Sequence, residues 1–180
     1  MCSGLSRRGL RGVGLTELLA EAGAPKGVLY HHFPGGKDEL AVQAIEATVH
    51  GICAGMDKAL ASGLSPWEAL QAWMLRAEEG LAGSGFERGC PLGTVALESG
   101  PNDRQIRAAL AEGFARIRAR VAGALELRGV PVARAAALAA LLVAAYEGGL
   151  MQARVAGSAE PLRQVREALE PIFRTAGQAP

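Results

Sequence analysis

Residues 15–40 read LTELLAEAGAPKGVLYHHFPGGKDEL, and the order of breaks in this stretch decides the fold. Leu15, Leu18, Leu19 and Ala22 recur at three and four, the spacing of one helical face. Gly23 ends that helix, because a glycine can take the left-handed conformation a sharp helix-to-helix turn requires. Pro25 suits the first turn of a second, short helix running to Tyr30. Pro34-Gly35-Gly36 breaks the chain again, and Leu40, Ala41, Ala44, Ile45, Thr48 and Ile52 predict a long helix over residues 37–54. A helix, a tight turn, a short helix and then a long one are helix-turn-helix grammar.

That grammar assigns chemistry to the second helix. Its exposed positions are Lys26, Gly27, Tyr30 and His31, from which side chains can donate to phosphate oxygens or to base edges in a major groove. Lys37 opens the next helix, so its ammonium and the amides of that N-terminus would together hold one backbone phosphate. The competing readings are weaker. His31-His32 has no carboxylate or cysteine at ligand spacing, so it is neither a metal fragment nor a catalytic base, and His32 reads as packing or capping. Gly35-Gly36-Lys37 lacks the spacing and the Ser/Thr of a phosphate loop.

The rest of the chain is a series of helices divided by Gly and Pro, with no period-2 alternation that predicts a strand. Ser65-Pro66-Trp67-Glu68 places an N-cap, an N1 proline and an N3 glutamate in capping-box order. The helix it opens carries Trp67, Leu70, Trp73, Met74, Ala77 and Leu81 on one stripe, and residues 80–89 read as a loop. A short helix is predicted over residues 90–98, and Asn102 is placed to cap a long one reaching about residue 127. The inner stripe of that helix is Ile106, Leu110, Phe114, Ile117, Val121 and Leu125. The helix predicted over residues 132–155 is apolar almost all round and must be covered on two sides. The last, over 161–174, spaces Leu162, Val165, Leu169 and Ile172 like a coiled-coil seam. These residues, with Leu138 and Leu142 of the preceding helix, are the expected homodimer interface.

Bulk composition excludes several classes. The net charge is +1, so no overall basic field announces a nucleic-acid protein and DNA binding must come from a local site. No secretory leader is read at the start. The longest charge-free apolar run, residues 135–146, covers about half of what a bilayer needs. Three scattered cysteines make neither a disulfide framework nor a zinc pattern, and a reducing cytoplasm is expected. Two readings stand for Cys90: a small buried residue at a helix start, or a thiol whose pKa the helix N-terminus lowers enough for redox sensing. Cys53 reads as core. The serines, histidines and cysteines fall in no triad-like order, so an enzyme is not expected, nor is a cofactor or a metal.

The run from Gly23 to Leu40 resembles the recognition segment of the TetR family of bacterial repressors, and its double glycine before Lys37 is similar to the LmrA/YxaF-type branch. Gly89-Cys90-Pro91-Leu92-Gly93, the long helix after Asn102 and Tyr146-Glu147-Gly148-Gly149-Leu150 resemble that branch's ligand domain. The resemblance implies an all-α fold, with a DNA-binding head over residues 1–46 and a ligand-binding, dimerising body over 47–180. Tyr30, Lys37 and Thr16 would contact phosphates. Lys26, Gly27, Val28 and His31 would meet base edges or the sugar-phosphate chain. The partners implied are double-stranded operator DNA, a small apolar effector and a second copy of the chain, with no membrane. The stock for an apolar pocket is Trp73, Met74, Phe86, Phe114, Ile117 and Tyr146, with Glu147 its polar candidate. The resemblance also implies a first helix longer than residues 2–8 before Gly9, and a short one would expose Leu18, Leu29 and Phe33. A ligand module that no longer binds DNA is the rival reading.

Overall fold

A computed structural model describes residues 2–14, 31 and 33–176, and every regular element among them is a helix. In chain order these are α1 (Cys2–Arg8), α2 (Gly36–Ala61), α3 (Pro66–Gly83), α4 (Pro91–Glu98), α5 (Arg104–Glu126), α6 (Val132–Ala156) and α7 (Glu160–Arg174). The helices expected over residues 15–22 and 25–30 lie outside the described residues.

Local signals start and stop these helices as the physics requires. At α3 the capping box is complete. The Glu68 N–H donates to Ser65 Oγ at 3.3 Å, and the Ser65 N–H donates to Glu68 Oε2 at 2.8 Å. Gly80 does not break α3, which continues to Gly83. It ends where Gly85 (φ 65°) and Phe86 (φ 63°) turn left-handed and the Phe86 N–H reaches back to the Leu81 carbonyl at 2.9 Å. The long second helix also outruns its expected end at residue 54, because Gly55 is tolerated mid-helix and Gly63 (φ 90°) supplies the stop. Before α5, Asp103 and not Asn102 organises the start. Its carboxylate accepts the Gly100 N–H at 2.7 Å and its carbonyl accepts the Arg107 N–H at 2.9 Å.

The chain divides into two compact units, and neither is one continuous segment. The first joins residues 1–50 with Gly89–Phe114, so a segment that the sequence reading assigns to the body packs with the head. Its core holds Leu5, Val13, Leu40, Ala44, Ile45, Val49, Leu92, Val95, Ile106 and Leu110, all buried. Inside this unit Gly113 lies so close to α2 that a Cβ there would stand 2.7 Å from Val49 Cγ2.

The second unit joins Gly51–Arg88 with residues 115–180. In it α6 packs on α7, where Gly149 admits Val165 and Leu162, and α3 packs on α7 through Trp67 and Phe173, ring centroids 5.8 Å apart. Arg166 and Glu78 pair at 3.1 Å with only 15% and 13% of their side chains exposed, tying α7 to α3. By length and composition alone, the 25 residues of α6 could cross a membrane, although their charge-free run is shorter. One of its faces, Ala135, Leu138, Ala139, Leu142, Tyr146 and Ala153, is buried in the chain, as in a core helix.

Candidate nucleic-acid interface

Of the seven residues expected to meet DNA, Thr16, Lys26, Gly27, Val28 and Tyr30 lie outside the described residues. His31 is exposed, and Lys37 is half-buried in the first turn of α2. That turn begins at Gly36, whose φ of 66° only glycine adopts cheaply, after a tight turn closed by the Gly36 N–H on the Phe33 carbonyl at 2.8 Å. Asp38 and Glu39 follow, favourably placed at the positive end of the helix. Glu39 Oε2 already accepts the Gly35 N–H at 2.8 Å, so a phosphate here would be held by the Lys37 ammonium and the remaining amides.

The structure adds residues that sequence reasoning missed. After α1 the chain turns at Gly9 (φ 68°), and two residues on the Arg11 amide donates at 3.0 Å to Oε2 of Glu98, the last residue of α4. A Cβ on Gly9 would sit 1.9 Å from Glu98 Oε1, so the glycine serves both the turn and the approach of the carboxylate. The Arg11 guanidinium lies 3.6 Å from the Asp103 carboxylate, and the Gly89 N–H donates to the carbonyl of buried Ser6 at 2.8 Å. Leu10, Arg11, Glu98 and Asp103 line a cleft of about 230 Å³ together with Lys37 and Asp38. Gly9 was legible as the glycine closing the first helix; no local pattern points to Glu98, 87 residues from Arg11.

The expected pocket residues divide between the units. Phe114 is half-buried in the first; Trp73, Met74, Phe86, Ile117, Tyr146 and Glu147 belong to the second. Trp73 and Tyr146 are in ring contact, centroids 4.1 Å apart and tilted by 39°. Met74 and Ile117 are buried, whereas Trp73, Phe86 and Glu147 are half-buried. Cys53 is half-buried. Burial pushes its thiol pKa up, Arg116 and Arg120 pull it down and Asp57 opposes them, with burial the largest effect. Cys90 is the N-cap of α4 and is half-buried.

The residues expected at a dimer seam are placed as follows. Leu138, Leu142, Leu162 and Leu169 are buried within the chain, and Val165 packs beside Gly149. Leu162 and Val165 meet α6 of the same chain at Gly149. Val165 is half-buried, and Ile172 is 39% exposed. An exposed apolar stripe lies elsewhere on α6. Leu141, Ala144, Gly148, Met151 and Val155 follow one another at three and four, and Leu141, Met151 and Val155 are 43%, 56% and 86% exposed.

Comparison with known proteins covers most of the chain. Residues 5–44 match the model for bacterial regulatory proteins of the tetR family, and residues 66–168 match that for the C-terminal domain of LmrA/YxaF-like transcriptional regulators. The chain is 27% identical to the HTH-type transcriptional regulator LmrA of Bacillus subtilis, over 93% of its own length and 89% of the relative's. It is 32% identical to an uncharacterized HTH-type transcriptional regulator of Mycobacterium tuberculosis, over 94% and 88%. Among solved structures it is similar to the regulatory protein TetR from Rhodobacter sphaeroides, with 30% identity and a TM-score of 0.79 over 95% of this chain and 92% of that one. The reduced form of E. coli NemR is similar too, at 26% identity and TM-score 0.76 over 92% and 89%.

Proposed function

The chain belongs to the TetR family of bacterial transcription regulators, in its LmrA/YxaF-like branch, and from that premise we propose a ligand-responsive repressor. It binds a palindromic operator as a homodimer, its two heads entering successive major grooves about 34–36 Å apart or a modest multiple of that. Lys37, Tyr30 and Thr16 hold phosphates, while Lys26, Gly27, Val28 and His31 face base edges or the sugar-phosphate chain. The observation that carries this reading is Lys37 in the opening turn of α2, directly after the Gly23-to-Gly36 sequence motif.

Dimerisation is assigned to the exposed stripe of α6, Leu141, Met151 and Val155, with Gly148 allowing close approach. Trp73, Tyr146 and Glu147 receive a small apolar effector. Residues 36–50 of α2 belong to the first unit and 51–61 to the second, so one continuous helix carries the signal. Effector and operator then oppose each other with a single coupling energy, whichever is added first.

A gel shift on the chain's own upstream promoter DNA, at two salt concentrations, tests the reading. The wild type shifts the fragment, and Tyr30→Ala and Lys37→Ala weaken or abolish the shift. No shift by the wild type would favour a ligand-binding module without an operator.

A further inference from the structure

The turn that follows α1 is closed by its own Gly9 N–H on the Leu5 carbonyl at 3.0 Å and is held from outside as well. Its Arg11 amide is satisfied by the carboxylate of Glu98, and its Gly9 leaves the space that carboxylate fills. Asp103 braces the same turn from the start of α5, accepting the Gly100 N–H and lying 3.6 Å from the Arg11 guanidinium. The Gly89 amide also ties α1 through the Ser6 carbonyl, at 2.8 Å. The same two carboxylates border the cleft that Lys37 and Asp38 line at the start of α2. Turn and helix start are therefore both referenced to one corner, the α4–α5 junction.

We propose that Glu98 and Asp103 are positioning residues for operator binding: they set the α1–α2 frame on which the recognition segment is carried, without touching DNA themselves. This rests on the operator-binding reading. Charge alone argues the opposite way, and that makes the proposal testable. Both groups are negative and lie near a lysine assigned to a phosphate, so their removal should tighten DNA binding if electrostatics were their whole effect. If they position the frame, removal loosens it.

The test uses the full chain, its own upstream duplex and fluorescence anisotropy at two salt concentrations, with hydrogen exchange at the Arg11 segment measured in parallel. Glu98→Ala is expected to bind about tenfold more weakly, the scale of one lost charge-assisted hydrogen bond. Glu98→Gln keeps an acceptor for the Arg11 amide and restores binding. Glu98→Asp keeps the charge but is one methylene short of that amide, so it behaves like Glu98→Ala and remains usable if the alanine variant folds poorly. Asp103→Asn weakens binding less than Glu98→Ala. Wild-type or tighter binding by Glu98→Asp or Glu98→Ala, with faster exchange at Arg11, would overturn the proposal and leave the operator reading standing. Equal weakness of Glu98→Gln and Glu98→Ala would overturn it as well. If the wild type shifts no DNA, the operator reading fails and takes this inference with it.

Discussion

Replacing Gly113 by alanine sets two effects of known size against each other. An alanine in a helix interior is favoured over glycine by about 0.8–1 kcal/mol, so propensity alone would stabilise α5. The added Cβ, however, would lie 2.7 Å from Val49 Cγ2 and 3.8 Å from Ile45 Cγ2. Carbon atoms in contact prefer about 3.5–4.0 Å, so the overlap with Val49 is on the order of 1 Å. Val49 cannot easily yield: it is 1% exposed, and a β-branched side chain in a helix has one strongly preferred rotamer. Relief must come from moving α2 away from α5 inside the first unit, and overpacking of this kind costs about 1–3 kcal/mol. The expected net is a loss of about 1 kcal/mol in the wild-type background. In a Val49→Ala background the obstructing methyl is gone, and the same substitution should gain about 1 kcal/mol. The cycle therefore predicts a coupling of about 2 kcal/mol. Urea unfolding followed by circular dichroism, at fixed protein concentration, measures all four proteins. Gly51→Ala is the control, since a Cβ there meets nothing within 4 Å among the described residues. If Gly113→Ala stabilises both backgrounds equally, the close approach of α2 and α5 is refuted.

Four further outcomes follow from the geometry. Ser65→Ala removes the cap of α3 and should cost about 1 kcal/mol by urea unfolding. The Ser65 hydroxyl, then its backbone N–H, holds the Glu68 carboxyl below its ordinary pKa; that contribution is present above the unfolded-state value and disappears as pH falls through the folded one, so the gap between wild type and Ser65→Ala should narrow in acid. Arg166→Ala leaves Glu78 mostly buried without its cation and should cost about 3 kcal/mol, whereas Arg166→Met with Glu78→Leu should cost much less; a full loss in the pair would sink the account. Leu141→Glu with Met151→Glu should convert a dimer to a monomer in sedimentation equilibrium, and Leu127→Glu, at an 87% exposed position just after α5, should not. Cys53 should alkylate slowly at neutral pH and speed up only above the usual thiol range, because its neutral form is favoured; rapid labelling at pH 7 would contradict the burial argument.

The sequence was informative wherever a signal and its consequence lie within one helical turn. Ser65 and Glu68 are three residues apart, and the cap they form is the one their identities predict. The stripes of α5 were equally legible, with Ile106, Leu110, Ile117, Val121 and Leu125 all buried. Periodicity, however, reports that a face is covered and not by what. Leu162 and Leu169 carry a seam pattern that fits an intermolecular coiled coil as well as it fits α6 of the same chain. Glu98 lay beyond reach for a different reason. Its role comes from a bond to an amide 87 residues away and from a space left by the absence of a side chain, and neither leaves a mark in the local pattern. The end of α2 was misjudged because a glycine weakens a helix by only about 1 kcal/mol, and the helix runs through Gly55 to Ala61.

The interleaving of the two compact units has a consequence for synthesis. A ribosome delivers residues 1–50 first, yet the segment that completes their core, Gly89–Phe114, emerges only after the first stretch of the other unit. A nascent head therefore waits, its apolar faces uncovered, for a partner segment still to be translated. At about 5–20 residues per second that delay lasts several seconds, long compared with the formation of any single helix. A fragment ending at residue 46 would lack the Glu98 carboxylate, the Asp103 brace and the Gly89 amide. Arrest-peptide force measurements along the chain should show the first unit pulling only once residue 114 has cleared the exit tunnel.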